Sequence, residues 1–238
     1  GRRHPERPFL LKLWTGFWGM IVLLGSEWCH NLAHADLEHR GDRRLQRLEG
    51  VGLAPVHRNA QRFEPCHFAR GRARDVAALY VLGDLFDAWI GDDDGGPLAT
   101  AVRGALSELT AAGVAVSFQG GNRDFLIGAQ FVGATGVRLL PDHAVIDLYG
   151  VPTLLMHGDL LCTDDLDYQQ ARRMLRNPAF VADFLAKPLP ARAALAAEYR
   201  RRSGEATSLK AEDIMDVNTD AVAQAMRVGA QLPGWKRL

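Results

Sequence analysis

The fold is decided by residues 78–94, which read Ala78-Leu-Tyr-Val-Leu-Gly-Asp-Leu-Phe-Asp-Ala-Trp-Ile-Gly-Asp-Asp-Asp94. The apolar run at residues 77–82 predicts a buried strand that ends at Gly83-Asp84. Further carboxylates follow within ten residues, at Asp87, Asp92, Asp93 and Asp94. Two interpretations fit this pattern. Either the strand delivers Asp84 to the edge of an open α/β sheet, where ligands bind, or it leads into a solvated acidic loop.

Two later segments repeat the pattern of an apolar run that ends in glycine and a polar residue. Residues 114–118 lead into Gly120-Gly121-Asn122-Arg123-Asp124, and residues 151–156 lead into His157-Gly158-Asp159. Three strands thus end near Asp84, Asn122 and His157. Carboxylate, amide oxygen and imidazole are ligands for a hard or borderline divalent metal, so the repetition favours a metal site.

The overall composition is that of an ordinary globular protein. The chain has 238 residues, 47% hydrophobic and 24% charged, which excludes a disordered or fibrous class. A formal net charge of zero gives no global electrostatic support for nucleic-acid binding. Cys29, Cys66 and Cys162 show no C-x-x-C pairing, so neither a disulfide framework nor a thiolate zinc site is indicated, and a reducing compartment fits.

Residues 1–68 form an atypical segment that holds six of the eight histidines. Its apolar block at residues 13–25 is too short to span a bilayer comfortably. Basic residues precede this block and Ala33-His34-Ala35 follows it, an arrangement that resembles a secretory signal peptide with an A-x-A cleavage site. A buried or interfacial helix is an alternative interpretation. We favour a third, an artefact such as a misassigned start or a reading-frame slip. The charge-dense residues 38–48 are either solvated surface or a phosphate-binding stretch.

From residue 69 onward the pattern predicts alternating strands and helices. Apolar residues Leu98, Val102, Ala105, Leu106 and Leu109 predict one helix face that stops at Gly113. A second helix is expected over residues 125–134, ended by Gly136. This order predicts an α/β sheet with parallel neighbours. Residues 144–148 and 151–156 then predict a hairpin.

The chain after Asp165 reads as helical to about residue 227, with a break at Asn177-Pro178. Its apolar residues alternate with Lys187, Arg192 and the run at residues 200–202. Ordinary helix packing with solvated arginines explains this composition. The alternative is a helical lid, apolar enough for lipid chains and basic enough for phosphate or an anionic membrane surface.

Six blocks in order carry a resemblance to a known family. Gly83-Asp84-Leu85-Phe86-Asp87, Gly121-Asn122 and His157-Gly158 resemble the G-D-x-x-D, G-N and H-G blocks of the calcineurin-like metallophosphoesterases. Arg123 directly after Asn122 narrows the match, as do residues 89–94, 161–165 and 214–218. With these, residues 69–227 resemble the UDP-2,3-diacylglucosamine diphosphatases (pyrophosphatases) of lipid A biosynthesis.

The resemblance implies an α/β fold, a calcineurin-like β-sandwich flanked by helices with a helical lid inserted at about residues 165–210. It divides the chain into the atypical segment 1–68, a metallophosphoesterase domain at 69–227 and a divergent tail at 228–238. The lid is where the family lodges acyl chains.

The resemblance also implies the site residues. Asp84 matches the carboxylate that bridges two manganese ions, and Asn122 and His157 match ligands of the second ion. Arg123 matches a residue that contacts substrate phosphate, and Asn122 also contacts substrate. The remaining substrate-binding positions match Asp165, Ser203, Thr207 and Lys210, although some members carry Asn at the position of Thr207.

The implied activity is hydrolysis of the pyrophosphate bond of UDP-2,3-diacylglucosamine by metal-activated water, giving UMP and 2,3-diacylglucosamine 1-phosphate. The attack falls on the α-phosphorus. The implied location is peripheral, at the cytoplasmic face of the inner membrane, with no nucleic-acid partner. Two alternatives stay open: a generic metallophosphoesterase acting on soluble phosphoesters, and a non-catalytic binder of the nucleotide and lipid.

Both ends depart from the family pattern. The Asp-x-His pair that holds the first ion is expected near Val51 and Leu53 and is absent there; the nearest imitation is Asp36-Leu37-Glu38-His39. No histidine follows His157, so the closing Gly-His-x-His is also not found. We therefore expect a fold incomplete at both ends, weak metal binding and poor or no hydrolysis. Unpaired sheet edges should also promote aggregation.

Overall fold

A computed structural model describes residues 10–11, 22–23, 78–148 and 151–233. Of the atypical segment 1–68, only the two-residue strands lie among them. The predictions for the A-x-A site, for residues 38–48, for Asp36–His39 and for the neighbourhood of Val51 and Leu53 fall outside the described residues.

The described residues contain strands and helices in mixed order. The strands are Leu10–Leu11 (β1), Val22–Leu23 (β2), Ala78–Leu82 (β3), Ala115–Gln119 (β4), Arg138–Leu140 (β5), Ala144–Leu148 (β6) and Val151–Leu155 (β7). The α-helices are Pro97–Ala111 (α1), Ala129–Thr135 (α2), Leu166–Leu175 (α3), Pro178–Leu185 (α4), Leu189–Ser208 (α5) and Thr219–Gly229 (α6). Short 3₁₀ turns cover Asp159–Leu161 and Glu212–Met215.

A three-stranded parallel sheet in the order β3-β4-β5 carries the first two motif-bearing loops. In its register Leu82 pairs with Gln119, so β3 and β4 end side by side. The predicted parallel α/β arrangement is therefore confirmed. Strand β5, which pairs with the end of β4, was not predicted, because a three-residue strand directly after a helix is too short to show alternation.

The predicted hairpin is also confirmed. Strands β6 and β7 pair antiparallel, with Ala144 opposite Leu155, so β7 ends just before His157. Leu82, Ala144 and Leu155 pack together and place the hairpin against the end of β3. Among the described residues the hairpin shares no strand pairing with the three-stranded sheet. The architecture is thus a mixed α/β fold with a parallel sheet and helices.

Helices α1 and α2 cover the sheet with a common core, in which Leu109, Phe118 and Phe131 are completely buried. The expected apolar face of α1 was wrong at one position, because Leu98 is exposed whereas its neighbour Ala99 is buried. Helix α2 begins at Ala129 instead of residue 125. The Asp92 carboxylate accepts hydrogen bonds from the Gly128 and Phe131 amides and fixes this later start.

Helices α3 and α4 begin at capping side chains. Asp165 accepts a hydrogen bond from the Tyr168 amide at the start of α3, and Asn177 caps α4, whose first residue is Pro178. The predicted helix at 165–176 and the break at Asn177-Pro178 are therefore confirmed. In the part of the chain that the structure describes, no helix combines the length and apolarity that a membrane crossing needs.

Candidate metal and phosphate site

Asp84 lies in a turn of unusual backbone conformation directly after β3. Gly83 has φ +86° and Asp84 itself has φ +55°, the only positive value among the non-glycine residues that the structure describes. Holding a non-glycine residue in the left-handed region costs about 1–2 kcal/mol. Such strain is typical of functional sites, and here it directs a buried carboxylate toward the ends of the other two strands.

Two glycines allow the three strand ends to approach one another. A Cβ atom on Gly83 would lie only 2.6 Å from Nδ1 of His157. A Cβ atom on Gly121 would overlap Oδ1 of Asp84. Any larger residue at either position would therefore push the loops apart.

Asn122 lies with its carboxamide against the Asp84 carboxylate. With the amide nitrogen toward Asp84, it donates to both carboxylate oxygens over 2.7 Å. With the amide oxygen in that place, three oxygens face each other, and only a cation between them makes the arrangement favourable. The pair is thus built either to hydrogen-bond or to share a cation.

His157 is oriented by the backbone of β3. Its Nδ1 lies 2.8 Å from the carbonyl oxygen of Leu82, and because a carbonyl only accepts, Nδ1 carries the proton. The unprotonated Nε2 lies 3.9 Å from Oδ1 of Asp84. This separation is too long for a hydrogen bond and suits two ligands of one ion. We call Asp84, Asn122 and His157 the strand-end cluster.

Arg123 brings positive charge to the strand-end cluster. Its backbone amide donates to Oδ1 of Asp84 at 3.1 Å, and its Nε lies 3.6 Å from Oδ2 of Asp84. Its Nη1 lies 3.2 Å from Oδ1 of Asp87. Burial raises the pKa of Asp84, and the positive charge of Arg123 opposes that rise.

Asp124 ties the loops after β3 and β4 together. Its side chain is fully buried and accepts hydrogen bonds from the amides of Gly121 and Leu85, both at 2.7 Å. Burial, with the neighbouring charge of Asp84, raises the pKa of Asp124 to about 6. The carboxylate holds backbone in place, so its part in the site is structural.

The predicted substrate residues of the helical segment fall into two groups. Asp165 and Lys210 form an ion pair with each other, and Asp165 is buried. Ser203 is exposed and Thr207 half-buried on α5. Because they stand three and seven residues after Arg200, they share its helix face. Arg200 itself donates a hydrogen bond to the backbone carbonyl of Asp87. The structure thus brings α5 to the loop that follows Asp84.

Sequence reasoning missed several arginines that attach the helices to the sheet edge. Arg172 donates to Oδ2 of Asp159 at 2.7 Å and to Asp142 at 2.9 Å. Arg176 donates to the carbonyl of Gly121 at 2.9 Å, directly before Asn122. Their partners lie 13 to 55 residues away in the sequence, so no local sequence pattern predicts these contacts.

Arg192 corrects the prediction of solvated arginines. It is only 3% exposed, and it donates to the Ile90 carbonyl at 2.7 Å and to the Asp93 carboxylate. A Cβ atom on Gly91 would collide with its guanidinium, which explains the glycine in this acidic loop. The exposed Arg201 and Arg202 fit the prediction, since they pair with Glu198 on their own helix.

The strand-end cluster fits part of the shell of a divalent cation. It offers a carboxylate, an amide oxygen and an imidazole Nε2, a donor set that suits Mn²⁺ among others. Among the described residues, no group of three or more His, Cys, Asp and Glu side chains is arranged to hold a metal ion. The third donor here is the amide of Asn122, so the described residues supply only this partial shell.

Comparison with known proteins identifies the family. A UDP-2,3-diacylglucosamine hydrolase from Serratia proteamaculans is 49% identical over 180 residues, 73% of this chain and 74% of the relative. The corresponding hydrolase from Cellvibrio japonicus is 51% identical over 159 residues, 67% of this chain and 66% of the relative. The chain belongs to the UDP-2,3-diacylglucosamine hydrolase family.

The match to this family is partial in length. A UDP-2,3-diacylglucosamine hydrolase from Stenotrophomonas maltophilia is 56% identical over 136 residues, which cover 57% of this chain and 55% of the relative. The matched region thus spans from about half to about three quarters of these relatives' lengths. No protein-family model matches the chain.

Proposed function

We propose that this chain is a metal-dependent hydrolase of UDP-2,3-diacylglucosamine in lipid A biosynthesis, releasing UMP and 2,3-diacylglucosamine 1-phosphate. One observation carries the proposal: Asp84, Asn122 and His157 converge from three strand ends, with Nε2 of His157 left open by the hydrogen bond of Nδ1 to Leu82. Membership of a family whose relatives are named as hydrolases of this substrate supports the choice of reaction.

Asp84, Asn122 and His157 would hold one divalent cation, with manganese the expected metal and Asp84 shared with a second ion. Such a cation, when bound, supplies water activation and charge neutralisation at phosphorus. Arg123 then binds a phosphate oxygen, a task that suits a planar guanidinium. Its Nε contact with Asp84 keeps that guanidinium beside the cluster.

The helices at residues 165–210 act in this proposal as the lid over the sheet edge, as part of a calcineurin-like β-sandwich fold. Arg172, Arg176 and Arg192 support this role, because each reaches from these helices to a loop or carbonyl of the sheet region. Asp165, Ser203, Thr207 and Lys210 bind the sugar and nucleotide. In this proposal the enzyme lies peripherally on the cytoplasmic face of the inner membrane, with the lid toward the lipid surface. Co-sedimentation with anionic vesicles tests this location.

Manganese-dependent release of UMP from UDP-2,3-diacylglucosamine tests the activity. A chromogenic phosphodiester assayed in parallel separates the proposed enzyme from a generic metallophosphoesterase, which would prefer the soluble ester. Because the sequence has no Asp-x-His pair near Val51 and Leu53, we expect turnover well below that of a Serratia relative. Equal turnover would contradict the expected loss of the first-ion ligands.

The missing Asp-x-His pair also supports a second candidate, a binder that keeps the nucleotide and lipid pocket without hydrolysis. Binding of UDP-2,3-diacylglucosamine by calorimetry, with no UMP released at any manganese concentration, would identify this candidate. Hydrolysis that stops on substitution of Asp84 by Asn would exclude it.

A further inference from the structure

Two guanidinium groups converge on one exposed carboxylate beside the strand-end cluster. Nη1 of Arg123 lies 3.2 Å from Oδ1 of Asp87, and Nη2 of Arg200 lies 3.6 Å from the same oxygen. Arg200 also donates to the backbone carbonyl of Asp87. The Asp87 side chain is 62% exposed, whereas that of Arg123 is only 12% exposed.

The convergence places two like charges close together, which is unfavourable without an anion between them. Burial lowers the pKa of Arg123, and the positive charge of Arg200 lowers it further. Asp87 faces both guanidiniums with a carboxylate that remains largely in water, and Asp84 also lies beside Arg123. A phosphate group offers more oxygens and more charge to the same two guanidiniums.

Arg200 differs from the two arginines that follow it. Arg201 and Arg202 pair with Glu198 on α5 itself, whereas Arg200 crosses to the loop after β3. Ser203 and Thr207, on the same helix face as Arg200, are the proposed substrate positions of α5. Arg200 thus shares a helix face with these positions and a neighbour, Asp87, with Arg123.

We propose that Arg200 and Arg123 together form the binding site for a phosphate group of the substrate, and that the Asp87 carboxylate takes the place of that phosphate when no substrate is bound. This inference rests on the proposed function for the identity of the substrate. The two-arginine anion site itself depends only on the contacts around Asp87.

Calorimetric titration with inorganic pyrophosphate in EDTA tests the anion site directly. Arg200→Gln should weaken binding at least about tenfold, because a hydrogen-bonded charge is lost. The affinity of Arg200→Lys for pyrophosphate should lie between that of Arg200→Gln and that of the unchanged protein. Arg202→Gln is the matched control on the same helix and should bind pyrophosphate like the unchanged protein. Asp87→Asn should bind more tightly, since the competing carboxylate loses its charge.

Three results would overturn the inference: equal binding by Arg200→Gln and Arg202→Gln, weaker binding by Asp87→Asn, or no pyrophosphate binding by the unchanged protein. Circular dichroism melting of each variant confirms that it is folded. A parallel titration with UDP-2,3-diacylglucosamine separates the two proposals. Arg200-dependent binding of pyrophosphate without binding of the lipid nucleotide would refute the proposed substrate alone. Hydrolysis of the lipid nucleotide with an unchanged KM in Arg200→Gln would refute the role of Arg200 alone.

Discussion

Nδ1 of His157 donates a hydrogen bond to the carbonyl oxygen of Leu82 over 2.8 Å, and this bond joins the end of β7 to the end of β3. It fixes the ring so that Nε2 points toward Asp84, the residue two positions after Leu82. The same backbone that positions the carboxylate therefore also orients the imidazole. Ligand histidines in metal sites are commonly held by a carbonyl in this way.

Asp84→Asn should lower the affinity for Mn²⁺ while making the metal-free protein more stable. The substitution removes a charge whose burial raises the pKa of the carboxyl group, and Asn tolerates the left-handed conformation better than most residues. Manganese titration followed by electron paramagnetic resonance should show at least about a tenfold loss of affinity. The melting temperature in EDTA should rise, and a fall would contradict the account of Asp84 as a strained, destabilising residue.

Gly121→Ala should separate the strand ends. The new Cβ would overlap Oδ1 of Asp84, so we expect a loss of about 1–3 kcal/mol in unfolding free energy together with loss of manganese binding. Gly104→Ala is the matched control, because apart from the local backbone of helix α1 no atom lies within 4 Å of its Cβ position. It should stabilise the protein by about 0.5–1 kcal/mol. Urea denaturation gives the unfolding free energy of both variants. Equal changes in that free energy would contradict the close approach of Gly121 to Asp84.

Arg192→Ala should detach the start of α5 from the acidic loop. Its hydrogen bonds to the Ile90 carbonyl and Asp93 are lost, which should cost roughly 2 kcal/mol. The remaining Asp93 is more than half exposed and adds little penalty. Arg201→Ala, an exposed control, should change stability by no more than about 0.5 kcal/mol. Hydrogen exchange should speed up in α5 for the first variant only.

Tyr168→Phe should remove a stability contribution that is present at neutral pH and is lost at alkaline pH. Burial and the adjacent Asp159 carboxylate raise the pKa of Tyr168, whose hydroxyl donates to Asp159 at 2.8 Å. The folded protein thus keeps the proton, whereas the unfolded chain loses it above a pKa of about 10. The advantage of Tyr over Phe, about 1 kcal/mol near pH 8, should be complete below pH ~10 and shrink as pH rises beyond it.

Urea denaturation of both proteins at several pH values between neutral and strongly alkaline gives this difference directly. Subtracting the two curves removes the other tyrosines and lysines, which both proteins share. A difference independent of pH would mean that Tyr168 ionises equally in the folded and unfolded states.

The strand-end cluster could be predicted from sequence because each member follows an apolar run and has a glycine next to it, before Asp84 and Asn122 and after His157. The parallel pairing of β3 and β4 followed from the helix between them, and the hairpin followed from its short loop. Metal coordination, manganese and the inner-membrane location stay predictions, as do the roles of Asp165, Ser203, Thr207 and Lys210. The division into segments 1–68, 69–227 and 228–238 is likewise a prediction.

The arginine contacts could not be predicted, because their partners are distant along the chain. Arg192 meets Ile90 across 102 residues, and Arg172 meets Asp142 across 30. Composition alone marks such arginines as solvated. The same limit explains Asp92, which looks like a member of a solvated acidic loop, and Asp124, which follows Arg123. Both accept hydrogen bonds from backbone amides.

The side-by-side pairing of Leu82 with Gln119 limits how this edge can vary among related sequences. Inserting a single residue into β3 or β4 would turn its terminal polar side chain to the opposite face and shift it by about 3.3 Å. Insertions in the exposed turns between the two strands carry no such penalty. Homologues should therefore differ freely in the lengths of those turns. The number of residues between Leu82 and Asp84, and between Gln119 and Asn122, should stay constant.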